Sequence, residues 1–178
     1  MGVVHRSPGS PMDDDPDDYR PTSSWSLHVD PDQRAELSVI WETIGVGDRI
    51  PRHWHDVDEV VLYEGGRARV FLDGLETEVE SGATVFIPAG SVHGTVNIGD
   101  EPVLVRAVYP STVVRMDMVE RNPMPGTEGQ PPRATVYDMA TGAFTILHDT
   151  EFPPDHTPPS TTGSSEDGEQ SSSSEGLG

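Results

Sequence analysis

Short runs of alternating apolar and polar residues follow one another between positions 37 and 109, and this two-residue period predicts β-strands. Leu37–Ile44 and Val103–Tyr109 are the longest of these runs, and both are rich in the β-branched and aromatic side chains that favour extended backbone. Three shorter runs are Val60–Tyr63, Thr84–Ile87 and His93–Asn97. No helical period stands out in this region, so the pattern predicts an all-β domain.

A hairpin is predicted around Asp73-Gly74, which separates Arg67–Leu72 from Leu75–Val79. A two-residue turn there fixes the register, so that Arg69 lies opposite Glu78 on one face of the hairpin. Opposite charges at facing positions support that register. We interpret this pair as exposed and structural rather than catalytic.

The region after the main strands is interpreted in two parts. Residues 116–133 hold four prolines and two glycines, and we predict an irregular connection there. Ala134–Met139 and Ala143–Leu147 then flank Ala140-Thr141-Gly142, which favours a second hairpin. Such a hairpin either covers an open face of the domain or exchanges between the two copies of a dimer, and the sequence leaves both arrangements open.

Both ends of the chain are predicted to be disordered, because they hold too few apolar residues to form a core. Residues 1–22 make an acidic, proline-rich arm, and residues 151–178 make an acidic tail rich in serine and proline. The folded domain is therefore assigned to residues 23–150.

Composition excludes several kinds of catalysis. The 178-residue chain has 31 Asp and Glu against 11 basic residues, and every basic residue is arginine. Because lysine and cysteine are absent, the chain has no Schiff-base lysine, cysteine nucleophile, thiolate ligand or disulfide. The acidity fits a protein from a high-salt host, and it fits equally a GC-rich genome that replaces lysine by arginine.

Neither nucleic acid nor a membrane is an expected partner. The net charge of −20 has the wrong sign for binding a phosphate backbone. No apolar run approaches the length that crosses a bilayer, and Met1–Pro8 lacks an apolar signal core. We therefore expect a cytoplasmic protein.

Three histidines and one glutamate are the candidate metal ligands. His53 and His55 are two residues apart, so they project to the same face of a strand. Glu59 follows four residues later and reaches that face if the strand turns, whereas His93 comes from a separate segment. Three imidazoles and one carboxylate that converge on one point form a site for a first-row divalent metal.

The residues from Gly47 to Asn97 resemble the two motifs of the cupin family. The first motif, G(X)5HXH(X)3-4E(X)6G, is filled without a gap by Gly47, His53, His55, Glu59 and Gly66. The second motif, G(X)5PXG(X)2H(X)3N, is filled at full spacing by Gly82, Pro88, Gly90, His93 and Asn97. Ten positions in the right order make this resemblance far more specific than an isolated pair of histidines.

The resemblance implies a cupin double-stranded β-helix, which is a jelly-roll barrel of antiparallel strands with a metal inside its mouth. It implies that the metal ligands are His53, His55, Glu59 and His93. The resemblance extends over about residues 35–109 within the barrel domain assigned to residues 23–150, and it also suggests a homodimer. It does not fix the reaction, because the family includes dioxygenases, isomerases, decarboxylases, lyases and proteins without catalytic activity.

The donor set suits one divalent ion per chain, with Fe(II) or Mn(II) favoured and Co(II), Ni(II), Cu(II) and Zn(II) also compatible. Four protein ligands leave up to two positions open on a six-coordinate ion. Open positions are typical of catalytic sites, whereas structural metal sites are closed.

Side chains alternate between the two faces of a strand, so residues an even number of positions apart have the same parity and share a face. This parity suggests which other side chains face the site. Tyr63 shares the parity of Glu59 and is the candidate catalytic proton donor, although a structural tyrosine would show the same pattern. Phe86 is expected to face inward, and Trp41 either walls the pocket or packs in the core. Arg106 is expected on the outer face, and Trp54 should point away from the two histidines that flank it.

Three functions fit these residues. The favoured one is a metal-dependent enzyme, an oxidoreductase of the dioxygenase type, that acts on a small oxygenated molecule. A redox-neutral isomerase, decarboxylase or lyase would instead use the metal as a Lewis acid. A non-catalytic metal- or ligand-binding protein would hold the metal in a closed site.

Overall fold

The Asp73-Gly74 turn joins its two strands in the predicted register. In the computed structural model, which describes residues 2–5 and 8–147, Arg69 pairs with Glu78 and their side chains form an ion pair of 3.1 Å. Both turn residues have positive φ angles, 46° at Asp73 and 89° at Gly74, as the primed turns of two-residue hairpins require. This hairpin therefore follows directly from local turn chemistry.

The described residues form thirteen β-strands. They are Ser10–Met12 (β1), Arg20–Val29 (β2), Ser38–Ile44 (β3), Arg49–His55 (β4), Glu59–Gly65 (β5), Arg67–Leu72 (β6), Leu75–Glu80 (β7), Thr84–Ile87 (β8), His93–Asn97 (β9), Val103–Tyr109 (β10), Val113–Met118 (β11), Ala134–Asp138 (β12) and Ala143–Leu147 (β13). Within the same residues, no helix has the length and apolar character needed to span a membrane.

Two antiparallel sheets make up the predicted jelly roll. One has six strands in the order β1-β2-β3-β10-β5-β8, and the other has seven in the order β13-β12-β11-β4-β9-β6-β7. Their inner faces share a core in which Ile44 and Val103 from the first sheet pack with Ala68 and Val70 from the second. The all-β class predicted from the alternating pattern is thus confirmed.

Besides β1, which lies in the N-terminal arm, two strands were missed by the pattern. The first, β2, has a polar sequence with four Ser or Thr residues, and it is extended because it pairs with β3 along Ser24–Val29. The second, β11, enters the segment predicted to be irregular, and it is held between β4 and β12. In both cases hydrogen bonding to neighbouring strands outweighs a weak local signal.

The predicted N-terminal disordered arm needs correction, because the structure orders part of residues 1–22. Asp17 is buried, and its carboxylate accepts hydrogen bonds from the guanidinium groups of Arg121 and Arg133. The backbone N–H of Asn122 also donates to the Asp17 carbonyl at 2.7 Å. A buried carboxylate with two arginine partners thus ties this acidic segment to the connection after β11. The predicted tail over residues 151–178 lies outside the described residues.

Candidate metal centre

The ends of three strands, two from one sheet and one from the other, carry the four predicted ligands. His53 and His55 lie at the end of β4, while Glu59 begins β5 and His93 begins β9. His53 pairs directly with His93 across the β4–β9 ladder. Alternation along β4 turns His53 and His55 into the barrel and turns Trp54 to the opposite face.

A tight turn before β9 delivers His93. Gly90 has a φ angle of 80°, a conformation that favours glycine, and its N–H donates to the carbonyl of His55 at 2.7 Å. This hydrogen bond ties the second motif to the first at His55, which is itself one of the candidate ligands. The position of His93 relative to His55 is therefore set by the backbone.

The ligand atoms converge within the spacing expected around one ion. Nitrogen atoms of His53, His55 and His93 all lie within 4.8 Å of one another, and Nε2 of His53 is 3.1 Å from Nε2 of His55. Oε2 of Glu59 lies 2.9 Å from Nε2 of His93 and 3.7 Å from Nε2 of His55. All four side chains are buried. The structure thus brings together every ligand predicted from the motifs.

Backbone carbonyls orient the three imidazoles. Nδ1–H of His53 donates to the Pro51 carbonyl at 2.7 Å, and Nδ1–H of His93 donates to the Ser91 carbonyl at 2.9 Å. Nδ1 of His55 faces the Arg115 carbonyl at 3.4 Å. A proton fixed on Nδ1 leaves the lone pair on Nε2, which is how metal-bound histidines are usually held.

Two polar atoms at the centre are buried without a hydrogen-bond partner. They are Oε2 of Glu59 and Nε2 of His93, whose 2.9 Å contact is not aligned as a hydrogen bond. Buried polar atoms rarely stay unsatisfied, and a cation between these two would satisfy both. The chemistry of the donor set therefore fits a divalent metal.

The protonation states also suit metal binding. Burial, together with the neighbouring His93, lowers the pKa of His53 well below its usual range and lowers the pKa of His55 to about 3. Burial opposes ionisation of Glu59, but contact with His93 still lowers the pKa of this carboxyl. At neutral pH, His53 and His55 are therefore neutral donors beside an ionised carboxylate.

Tyr109 was not predicted as a site residue, yet its hydroxyl contacts two of the candidate ligands. It donates to Oε1 of Glu59 at 2.9 Å and lies 3.3 Å from Nε2 of His55. Burial raises the pKa of the Tyr109 phenol well above its usual value, so the phenol is a proton-bearing donor. The sequence offered one indication of this contact. Tyr109 ends β10 at a position whose side chain faces into the barrel, and β10 runs antiparallel to β5, which begins with Glu59.

Tyr63 occupies a different environment. Its hydroxyl hydrogen-bonds to Thr95 Oγ1 at 2.8 Å, and its ring belongs to a cluster of aliphatic side chains. Burial raises the pKa of Tyr63 as well. The catalytic role suggested by its parity remains a prediction.

The structure also tests the predicted orientations of three other side chains, confirming one and correcting two. Arg106 lies on the outer face as predicted, where it pairs with Glu64 at 2.7 Å. Trp41 faces Arg106 across the ladder, and the guanidinium lies 3.9 Å above its ring, so the core and pocket interpretations of Trp41 are both replaced. Phe86 is 71% exposed rather than inward, because it pairs with Val60 on the outer face.

Comparison with protein families gives one match. Residues 40–109 match the sequence model of the cupin domain, and this stretch includes all four predicted ligands. No curated protein matches the chain.

Several solved structures are similar to part of the chain. A conserved protein of unknown function from Streptococcus pyogenes is 25% identical, with a TM-score of 0.44 over 50% of this chain and 74% of that chain. Oxalate decarboxylase from Lactobacillus farciminis, in a formate complex, is 24% identical with a TM-score of 0.47, over 51% of this chain and 29% of that one. Oxalate decarboxylase from Bacillus subtilis at pH 4.6 is 19% identical with a TM-score of 0.48, over 56% and 28%. The chain thus spans less than a third of either decarboxylase.

Proposed function

Because residues 40–109 form a cupin domain, we propose that the protein is a metal-dependent enzyme of the dioxygenase type that acts on a small oxygenated molecule. The observation that carries this proposal is the orientation of the donors. Nδ1 of each histidine faces a backbone carbonyl, and the Nε2 atoms converge: those of His93 and His55 lie 2.9 and 3.7 Å from Oε2 of Glu59, and that of His53 lies 3.1 Å from Nε2 of His55. Such a set holds one divalent ion, with Fe(II) or Mn(II) favoured.

Each ligand has a defined task in this proposal. The three imidazoles bind as neutral donors, and the single carboxylate reduces the charge of the divalent ion to about +1. When bound, the metal supplies Lewis acidity and positions for oxygen-containing ligands. The surrounding burial of the four side chains excludes bulk water and strengthens each electrostatic contact.

Oxygen consumption tests the dioxygenase type directly. Metal-free protein is loaded with Fe(II) and supplied with a panel of diols, diketones and phenols in an oxygen electrode. We expect uptake that requires both iron and one class of substrate, and that disappears in His93→Ala. His28→Ala is the matched control, because His28 lies beside the ring of Trp41 rather than among the ligands. No uptake with any substrate would contradict the dioxygenase assignment.

A redox-neutral reaction is the second candidate, and the phenol of Tyr109 favours it. This proton-bearing group lies at the ligands, 2.9 Å from Glu59, where it can exchange a proton with a bound molecule. Turnover of the same panel by the Zn(II)-loaded protein without oxygen would support this candidate. Stoichiometric metal with no turnover under either condition would favour a non-catalytic binding protein.

A further inference from the structure

The two oxygens of the Glu59 carboxylate have different surroundings. Oε1 accepts the Tyr109 hydroxyl at 2.9 Å, whereas Oε2 lies 2.9 Å from Nε2 of His93 and has no hydrogen-bond partner. One oxygen is therefore held by the protein, and the other is directed toward the imidazoles. A carboxylate can bind a metal through one oxygen or through both, so this difference bears on how many positions it occupies.

Packing fixes the position of the Tyr109 hydroxyl. Tyr109 is 3% exposed, ends β10 opposite Ser38, and packs in a cluster with Ala107, Val114 and Met139. Its ring meets the ring of His55 edge to face, with centroids 5.1 Å apart. The hydroxyl has a single proton, and Oε1 of Glu59 at 2.9 Å is a closer acceptor than Nε2 of His55 at 3.3 Å.

We propose that Tyr109 is a positioning residue that restricts Glu59 to a single metal-facing oxygen and so keeps two coordination positions free for exogenous ligands. The inference rests on the metal site of the proposed function and specifies how open that site is. Three imidazoles and one carboxylate oxygen fill four positions of a six-coordinate ion, which leaves two. A carboxylate bound through both oxygens would leave one.

Removing the hydroxyl should release Oε1. In Tyr109→Phe the oxygen would be buried without a donor, which is unfavourable for a charged carboxylate. The nearest remaining compensation is the bound ion, so Glu59 should turn to bind through both oxygens. The open site would then accept one exogenous atom instead of two, and a substrate could no longer bind together with a second small ligand.

The number of metal-bound waters tests this inference without any activity assay. Metal-free protein is loaded with Mn(II), and the broadening of its electron paramagnetic resonance lines in ¹⁷O-enriched water counts the exchangeable waters. We expect two waters in the wild-type protein and one in Tyr109→Phe. Tyr63→Phe is the matched control, because it removes an equally buried hydroxyl that is bonded to Thr95, and it should keep two.

The possible results separate the two proposals. If the wild-type protein binds no Mn(II), the metal site itself is wrong. If it binds Mn(II) with two waters and Tyr109→Phe also has two, the role of Tyr109 is wrong and the metal site stands. The wild-type count applies even if Tyr109→Phe does not fold, since one water in the wild-type protein would overturn the inference.

Discussion

Two tyrosines with the same burial lie in two different parts of the barrel. Tyr63 on β5 and Tyr109 on β10 are each 3% exposed, and the two strands are neighbours in one sheet. Tyr63 bonds to Thr95 among aliphatic side chains, whereas Tyr109 donates to Glu59. Residue type and burial therefore do not distinguish a tyrosine in the core from a tyrosine at the metal centre.

Depth along the strand explains the difference. Glu59 and Tyr63 face the same way because their positions differ by four, an even number, but four residues of extended backbone span roughly 13 Å. Tyr109 follows Val108, which pairs with Val60 beside Glu59. Parity predicts the face of a residue, and only the pairing of strands predicts which residues meet on that face.

Removal of a ligand should give the largest effect. We expect His53→Ala to weaken Mn(II) binding by on the order of 1,000-fold, more than the 10–100-fold typical of residues that merely support a ligand. Calorimetric titration of the metal-free protein measures this change. His28→Ala should bind Mn(II) as the wild-type protein does, and an equal loss in both variants would contradict the assigned ligands.

Shortening a side chain in the aliphatic cluster around Tyr63 should lower the stability of the protein without changing its metal affinity. Ile44 is fully buried, so we expect Ile44→Ala to lower the free energy of unfolding by about 2–5 kcal/mol in urea denaturation of the metal-free protein. Val46→Ala is the control, because Val46 is 52% exposed and its loss should change that energy by less than about 0.5 kcal/mol. If Ile44→Ala lost as much metal affinity as His53→Ala, the aliphatic core and the metal centre would not be separate in function, which would contradict the comparison.

The variant Tyr63→Phe directly tests the comparison between Tyr63 and Tyr109. The variant leaves the buried Thr95 hydroxyl without its partner, and we expect a loss of about 1–3 kcal/mol in the free energy of unfolding. Mn(II) affinity should stay at the wild-type level, because the hydroxyl bonds to Thr95 rather than to a candidate ligand. If turnover falls while stability is kept, Tyr63 is the proton donor that its parity suggested.

Acidification should weaken metal binding through His93 first. Burial opposes protonation of His93, but the Glu59 carboxylate raises its pKa above the usual range, whereas the pKa values of His53 and His55 are lowered. A proton on His93 competes with the metal, so affinity is constant above this raised pKa and falls about tenfold per pH unit below it.

Mn(II) titrations across that pH range check the slope. A single competing proton is the result we expect. A steeper fall, with two or more protons displaced per metal ion, would show that His53 or His55 is protonated in the same range and would contradict the assigned states.

Features encoded by short spacings could be predicted from the sequence. The bounds of β8, β9 and β10 match the predicted runs Thr84–Ile87, His93–Asn97 and Val103–Tyr109. The hairpin register follows from Asp73-Gly74, because both φ angles and both strand periods are set locally. The convergence of the four candidate ligands followed from the resemblance of two motifs rather than from any single spacing.

Features that depend on distant contacts could not be predicted in this way. Asp17 meets Arg121, 104 residues later, so the ordering of the N-terminal segment has no local signature. The bond between Glu59 and Tyr109 likewise spans 50 residues. Phe86 faces outward because β8 pairs with β5 in a register that turns its neighbour Ile87 inward.

X-ray absorption of the Mn(II)-loaded wild-type protein tests the central claim most directly, since its fine structure counts the imidazoles bound to the metal. With about one ion per chain, we expect the scattering of three imidazoles together with oxygen ligands, and of two imidazoles in His93→Ala. A spectrum with one imidazole or none, or one that His93→Ala leaves unchanged, would contradict a metal held by His53, His55, Glu59 and His93.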